Sequence, residues 1–250
     1  MSIKISASTN PPKLSELNDY IKSLDASGVD YIHCDVMDGR FVKAKTFGAK
    51  KVSEIKKLTS LPLDVHLMMK RPVSKIKRYA KAGAEIITIH YESFKNKSKI
   101  VNALQKIKKL GAFAGLSFKP STSVLEILPY IYFCDMLLVM SVVPGKSGQE
   151  FMPETLVRLD TINKFLKKQK MEVVVEVDGG VNDKNIALLK EKNVDSVVVG
   201  SYLYNALDLN KAVESLKNAE VVKEDKPAKE TKEKAKVTKK PATKTKKAKA

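Results

Sequence analysis

The sequence predicts an α/β fold, a closed parallel (β/α)8 barrel over residues 1–218, and three observations predict it. Short apolar stretches recur about every 25 residues, each followed by an amphipathic segment with helical spacing. Eight such strand–helix units fit within residues 1–218. The chemically able side chains fall at the C-terminal ends of several different strands, where a barrel gathers its functional groups on one face. Strand count alone also permits a doubly wound open sheet; the shared position of the polar residues favours the barrel.

Strands are expected at Ile3–Ser8, Val29–Val36, Pro62–Leu67, Glu85–His90, Ala112–Phe118, Asp135–Ser141, Glu172–Asp178 and Asp195–Val199. Each is short and rich in Val, Ile, Leu or Phe, as buried parallel strands require. Helices are expected at Ser15–Leu24, Val73–Ala82, Lys97–Leu110, Pro153–Lys168 and Lys184–Lys190, where Leu, Ile and Val recur at helical spacing and Lys fills the outer face. Gly28, Gly83 and Gly111 stand where helices turn into strands, and Pro153-Glu154 suits the first turn of a helix.

With 250 residues and 43% apolar content, the chain can bury a large core. The sequence has no apolar run long enough to span a bilayer and no signal-peptide pattern at its start, so a cytoplasmic protein is expected. Cys34 and Cys134 lie in apolar strands and read as buried, inert thiols. The net charge of +18 is uneven: from Ala219 onward twelve Lys face five acids. Residues 219–250 carry no aromatic residue and read as a disordered Lys-rich tail. Such a tail is expected to make at most a weak, unspecific contact with nucleic acid or another anionic surface. The positive charge on the rest of the chain favours anionic small molecules, phosphates among them, as easily as nucleic acid.

The chemistry starts at Tyr31-Ile-His-Cys-Asp-Val-Met-Asp-Gly39. Side chains alternate across a strand, so His33 and Asp35 share one face. The same alternation turns Asp64, His66 and Met68 inward on the third strand, and Glu176 and Asp178 on the seventh. All three histidines of the chain, His33, His66 and His90, lie in or at the ends of strands. Two imidazoles and two carboxylates (His33, Asp35, His66, Asp178) meeting in a barrel mouth suit one divalent metal ion of the zinc, iron, manganese or cobalt type. Carboxylates from the second and seventh strands can also flank a substrate, one removing a proton from a carbon and the other returning it to the opposite face.

Glycine turns supply an anion site. Gly145-Lys146-Ser147-Gly148 follows the sixth strand, Gly179-Gly180 the seventh and Gly200-Ser201 the eighth. Bare backbone N–H groups in such turns favour phosphate, and loops after the last strands are where barrels hold it. Gly145-Lys-Ser147 is not a Walker loop, because Met140 stands where that motif needs its first glycine.

These residues resemble the ribulose-phosphate 3-epimerase family over essentially residues 1–218. The matching pieces are HCDVMDGRFV (33–42), LDVHLMM (63–69), ITIHYES (87–93), GLSFKPST (115–122), MSVVPGKSGQEFMPE (140–154), VEVDGGV (175–181) and GS (200–201). The resemblance implies a TIM barrel of the ribulose-phosphate-binding type and a pentose phosphate pathway isomerase that interconverts D-ribulose 5-phosphate and D-xylulose 5-phosphate. It implies Asp35 and Asp178 as the acid/base pair, and His33, Asp35, His66 and Asp178 as the ligands of a divalent metal. Ser8, His66, Asp178 and the glycine loops fall on substrate-binding positions, and Met37, Met68 and Met140 on pocket-lining ones. A homo-oligomer is also implied. The chain departs from the family pattern at Thr9–Pro12, Lys119, Val143, Lys146 and Ser147, around substrate and phosphate. Two alternatives stand beside this reading: a 3-epimerase of a hexulose 6-phosphate, and a non-catalytic phosphate-binding barrel. The D-x-K-x-x-D pattern of related barrel decarboxylases fails, since His66 and Met69 occupy its Lys and second Asp positions.

Overall fold

The structure, a computed structural model, describes residues 3–220. Eight parallel strands close on themselves in sequence order, so the barrel and not the open sheet is correct. They are β1 Lys4–Ser8, β2 Tyr31–Met37, β3 Leu63–Met68, β4 Ala84–His90, β5 Phe113–Phe118, β6 Met136–Met140, β7 Val174–Asp178 and β8 Ser196–Val199. Closure comes from β1 pairing with β8, Ile5 opposite Val197. The helices are α1 Leu17–Asp25, α2 Ala49–Lys56, α3 Ile76–Lys81, α4 Lys99–Lys109, α5 Val124–Ile131, α6 Thr155–Gln169, α7 Ile186–Glu191, α8 Ser201–Tyr204 and α9 Leu209–Asn218. The expected tail lies outside the described residues except for Ala219 and Glu220. No helix of the described residues is long and apolar enough to cross a membrane.

The main core lies between the outer face of the barrel and the helices. In α4, Ile100, Ala103, Leu104 and Ile107 recur at i, i+3, i+4 and i+7 and are buried, while lysines occupy the other side. Fully burying each of the larger three is worth about 1.5–3 kcal/mol. On the strands, Cys34, Val65, Leu67, Val175 and Val177 face this core. The alternate residues point into the barrel, where Ser6, His33, Asp64, His66, Thr88, Ser117, Glu176 and Ser196 are buried beside a small apolar cluster of Leu138, Met140, Val142 and Val198. Both cysteines are buried and free, as the sequence indicates.

Most strands start one or two residues later than hydrophobicity alone suggests, and four acids at strand starts cap the neighbouring strand. Asp30 Oδ2 accepts the N–H of Ile5 (3.0 Å), Glu85 Oε2 that of Leu63 (2.8 Å), Asp135 Oδ2 that of Ala114 (2.9 Å) and Asp195 Oδ2 that of Val175 (2.8 Å). Each acid stands at the start of an even-numbered strand and caps its odd-numbered neighbour. The cap satisfies a backbone donor at the barrel's N-terminal face, the face that serves stability. The helix expected at Val73–Ala82 is divided: a 3-10 turn at Pro72–Ser74 precedes α3, because Pro72 can only open a helical turn.

Candidate active site

Register carries the ligand-type residues to one level at the C-terminal end of the barrel. Asp35 pairs with His66, His33 with Ser8, and Met140 with Asp178. His33 Nε2 lies 3.5 Å from Asp35 Oδ1 and 4.0 Å from Asp178 Oδ2. His66 Nδ1 lies 3.5 and 3.6 Å from the same two oxygens. One ligand atom from each of the four residues fits within 4.8 Å of the others.

The two ring nitrogens that face the carboxylates, His33 Nε2 and His66 Nδ1, are buried and have no hydrogen-bond partner. Leaving such atoms unpaired costs about 1–3 kcal/mol each. Both rings are held from behind: His33 Nδ1 meets Asp64 Oδ2 at 2.5 Å, and His66 Nε2 meets His90 Nε2 at 2.8 Å. Two unpaired nitrogens and two carboxylate oxygens converging on one point form a donor set suited to a divalent transition metal.

The environments of the two carboxyls differ. Burial pulls Asp35 up, but the facing His33 and His66 rings outweigh it and hold it below the ordinary carboxylate range. Ser8 Oγ also donates to Asp35 Oδ2 at 2.8 Å. Asp178 is raised to about 6, by burial first and then by the Asp35 charge. Burial pulls His33 down, yet the Asp64 and Asp35 charges prevail and raise it. Buried His90 is lowered to about 4 by desolvation, against the pull of Glu92. Deeper in the barrel, burial and the neighbouring Asp64 charge raise Glu176, whose Oε1 accepts from Ser196.

Above these groups opens a cavity of about 620 Å³. Asp35 and Asp178 stand in its wall with Ser8, and Met37, Met68 and Met140 give it an apolar lining. Its other wall consists of Gly145, Lys146, Ser147, Gly148, Gly179, Gly180, Gly200 and Ser201, so the three glycine turns meet in one cavity. His33 and His66 sit behind the wall with no exposed surface. Gly180 takes φ +66°, and a Cβ there would collide with the backbone N of Phe151 and lie 2.8 Å from Gln149 O. The glycine therefore lets the 145–151 loop close onto the end of β7. Gln149 Nε2 staples that loop by donating to Val143 O and Lys146 O, both at 2.7 Å.

Four residues of the site carry no role in the sequence reading: Asp64, His90, Glu92 and Glu176. Asp64 and Glu176 are visible there as inward-facing and His90 as a strand-end histidine, but a partner behind a ligand leaves no spacing signature. Glu92 lies in a 3-10 turn after β4, outside any periodic pattern.

Fold and site together define a (β/α)8-barrel enzyme with paired carboxylates, one buried and one partly exposed, beside glycine-rich loops. The chain belongs to the ribulose-phosphate 3 epimerase family, isomerases acting on carbohydrates, whose sequence pattern matches residues 4–204. It is 38% identical over 220 residues to the ribulose-phosphate 3-epimerase of Synechocystis sp., covering 87% of this chain and 94% of that protein. It is 41% identical over 194 residues to that of Mycobacterium tuberculosis (76% and 82%) and 34% identical over 215 residues to the chloroplastic ribulose-5-phosphate-3-epimerase of Arabidopsis thaliana (86% and 76%). Among solved structures, KGPDC from Streptococcus mutans aligns with TM-score 0.66 at 13% identity over 88% of this chain and 97% of that one. The 3-hexulose-6-phosphate synthase of Salmonella typhimurium aligns with TM-score 0.63 at 15% identity (87% and 98%), a likeness of fold alone.

Proposed function

We propose that this chain interconverts D-ribulose 5-phosphate and D-xylulose 5-phosphate by moving one proton at carbon 3, with Asp35 and Asp178 as the acid/base pair. The observation that carries the reading is the convergence of these two carboxyls with two unpartnered imidazole nitrogens in the wall of a cavity whose other side is glycine loops. Carbon 3 is acidic because carbon 2 is a ketone. One aspartate in its ionised form takes the proton, and the other, in its acid form, gives one to the opposite face of the carbon. Ser8 holds Asp35 in place through its hydroxyl. Met37, Met68 and Met140 exclude water around the reacting carbon, which strengthens every charge interaction there. The backbone N–H groups of Gly148, Gly179, Gly180 and Ser201, with the Lys146 ammonium, receive the phosphate.

His33, Asp35, His66 and Asp178 would hold one divalent ion, and zinc, iron, manganese or cobalt suits this ligand set. Bound there, the ion supplies Lewis-acid stabilisation of the negative charge that develops on the substrate oxygens. Conversion of a five-carbon and a six-carbon ketose phosphate, followed side by side by NMR at carbon 3, tests the proposal. The five-carbon substrate should react at least about tenfold faster, one lost contact being worth about 1.4 kcal/mol, and a chelator should stop the reaction. Faster conversion of the hexulose phosphate would favour that alternative, and no conversion of either would favour a phosphate-binding barrel.

A further inference from the structure

Glu92 is half-buried behind the site, and both its carboxylate oxygens are engaged. Its Oε1 accepts the backbone N–H of Lys119 at 2.8 Å and the Thr122 hydroxyl at 2.5 Å. Its Oε2 lies 3.2 Å from His90 Nδ1. With no proton of its own to offer, Glu92 accepts from His90, so the His90 hydrogen is on Nδ1. The His90 ring has no exposed surface and lies between the rings of His66 and Phe41, at centroid distances of 4.8 and 4.7 Å. In the neutral ring that such burial favours, Nε2 is an acceptor. His66 Nε2, 2.8 Å away, must then be the donor. In a neutral His66 ring Nδ1 is then a bare lone pair, and Nδ1 is the atom that faces Asp35 and Asp178 without a partner.

We propose that Glu92 and His90 are positioning residues: a chain of hydrogen bonds running from His66 through His90 to Glu92 sets the tautomer and orientation of His66. Thr122 and the Lys119 N–H anchor the far end of that chain on the segment after β5, so the His66 ring is braced by two strands beyond its own. The role differs from that of a general packing group because reversing one donor in the chain reverses all of them. In Glu92→Gln the new amide can donate to His90 Nδ1. His90 then carries its hydrogen on Nε2, His66 must accept at Nε2, and the His66 hydrogen moves to Nδ1, where it blocks the lone pair. The consequence for metal binding rests on the reading of His66 as a ligand; the tautomer itself does not.

The test therefore has two arms, both on the full chain. In protein stripped of metal and labelled with 15N-histidine, long-range 1H–15N spectra should show His66 as the Nε2–H tautomer in the wild type. Glu92→Gln should move it toward Nδ1–H. In the second arm, titration with Co2+ followed by its visible absorption should give a dissociation constant about 10–100-fold weaker in Glu92→Gln and in His90→Leu. His90→Gln, whose side-chain carbonyl can still accept from His66 Nε2, should stay within several-fold of the wild type. An Nδ1–H tautomer of His66 in the wild type overturns the proposal. So do unchanged tautomer and unchanged Co2+ affinity in Glu92→Gln, the result expected if Glu92 merely packs. Wild type that shows the Nε2–H tautomer but binds no Co2+ upholds the chain and sinks the metal reading instead. If His90→Leu does not fold, Glu92→Gln carries both arms.

Discussion

Gly180→Ala should damage substrate binding more than it damages the fold. The glycine sits at φ +66°, where an alanine pays about 1–2 kcal/mol. Sterics add to this. The new Cβ would lie 2.8 Å from Phe151 Cα and from Gln149 O and closer still to Phe151 N, against the ordinary contact of 3.4 Å or more. All three obstacles are backbone or Cα atoms, so no rotamer change relieves them. The segment around Phe151 must retreat by roughly 0.6 Å at two contacts and further at the third, approaching 1 Å in all. A misplacement of that size in a substrate-positioning segment costs up to about a hundredfold in kcat/KM. Because the moving segment adjoins the glycine loops and lies away from Asp35, the loss should appear chiefly in KM and in weaker competition by inorganic phosphate. Steady-state kinetics with phosphate as inhibitor, beside a thermal melt, measures both. Cost at the level of strain and contact predicts a Tm lowered by several degrees, at about 2–4 °C per kcal/mol for a domain of this size. An unchanged KM and phosphate inhibition constant in a folded variant would refute the assignment of this wall to the phosphate.

Glu92 also has a pH signature. Burial raises its carboxyl, but the His90, Thr122 and Lys119 donors outweigh it and bring it to about 2. A carboxyl lowered from its unfolded range contributes stability that is present above about pH 4.5 and is lost as pH falls through about 2, roughly 3 kcal/mol in all. Urea midpoints at pH 7, 4 and 3 should therefore converge between the wild type and Glu92→Gln as pH falls; a constant gap would contradict the shift. At the opposite end of the barrel, Asp195→Ala leaves the Val175 N–H uncapped and should cost about 1–3 kcal/mol of unfolding free energy. Metal-replete turnover should be unaffected there, and a large loss of kcat without destabilisation would mean that the two faces are coupled.

The fold was legible because its signal recurs about every 25 residues: a short apolar run, rich in β-branched residues, followed by a segment with helical spacing. Alternation along β2, β3 and β7 placed His33, Asp35, His66 and Asp178 on the inner face without any knowledge of neighbours. The elements less visible in sequence are those whose local chemistry argues against them. Pro129 sits inside α5, and α2 is short and Lys-rich, so packing and not propensity makes them helical. The four acids that cap neighbouring strands were hidden for a different reason. In sequence each of them falls at the start of an expected strand, where nothing local shows a partner, and only barrel closure brings it to the N–H of the neighbouring strand. The braces behind the histidines were illegible likewise, since His90 and Glu92 acquire their meaning from the Nε2 of His66 on the adjacent strand.

The most direct test of the central claim is proton exchange in heavy water with single-carboxyl variants. Wild-type protein supplied with metal should place one deuterium on carbon 3 as either pentulose phosphate is converted to the other. Asp35→Asn and Asp178→Asn should each lower turnover by about 10²–10⁴-fold, and each should still wash deuterium into only one of the two epimers, a different one for each variant. Product formed without deuterium at carbon 3, or two variants that exchange the same epimer, would contradict an arrangement in which the two aspartates serve opposite faces of one carbon.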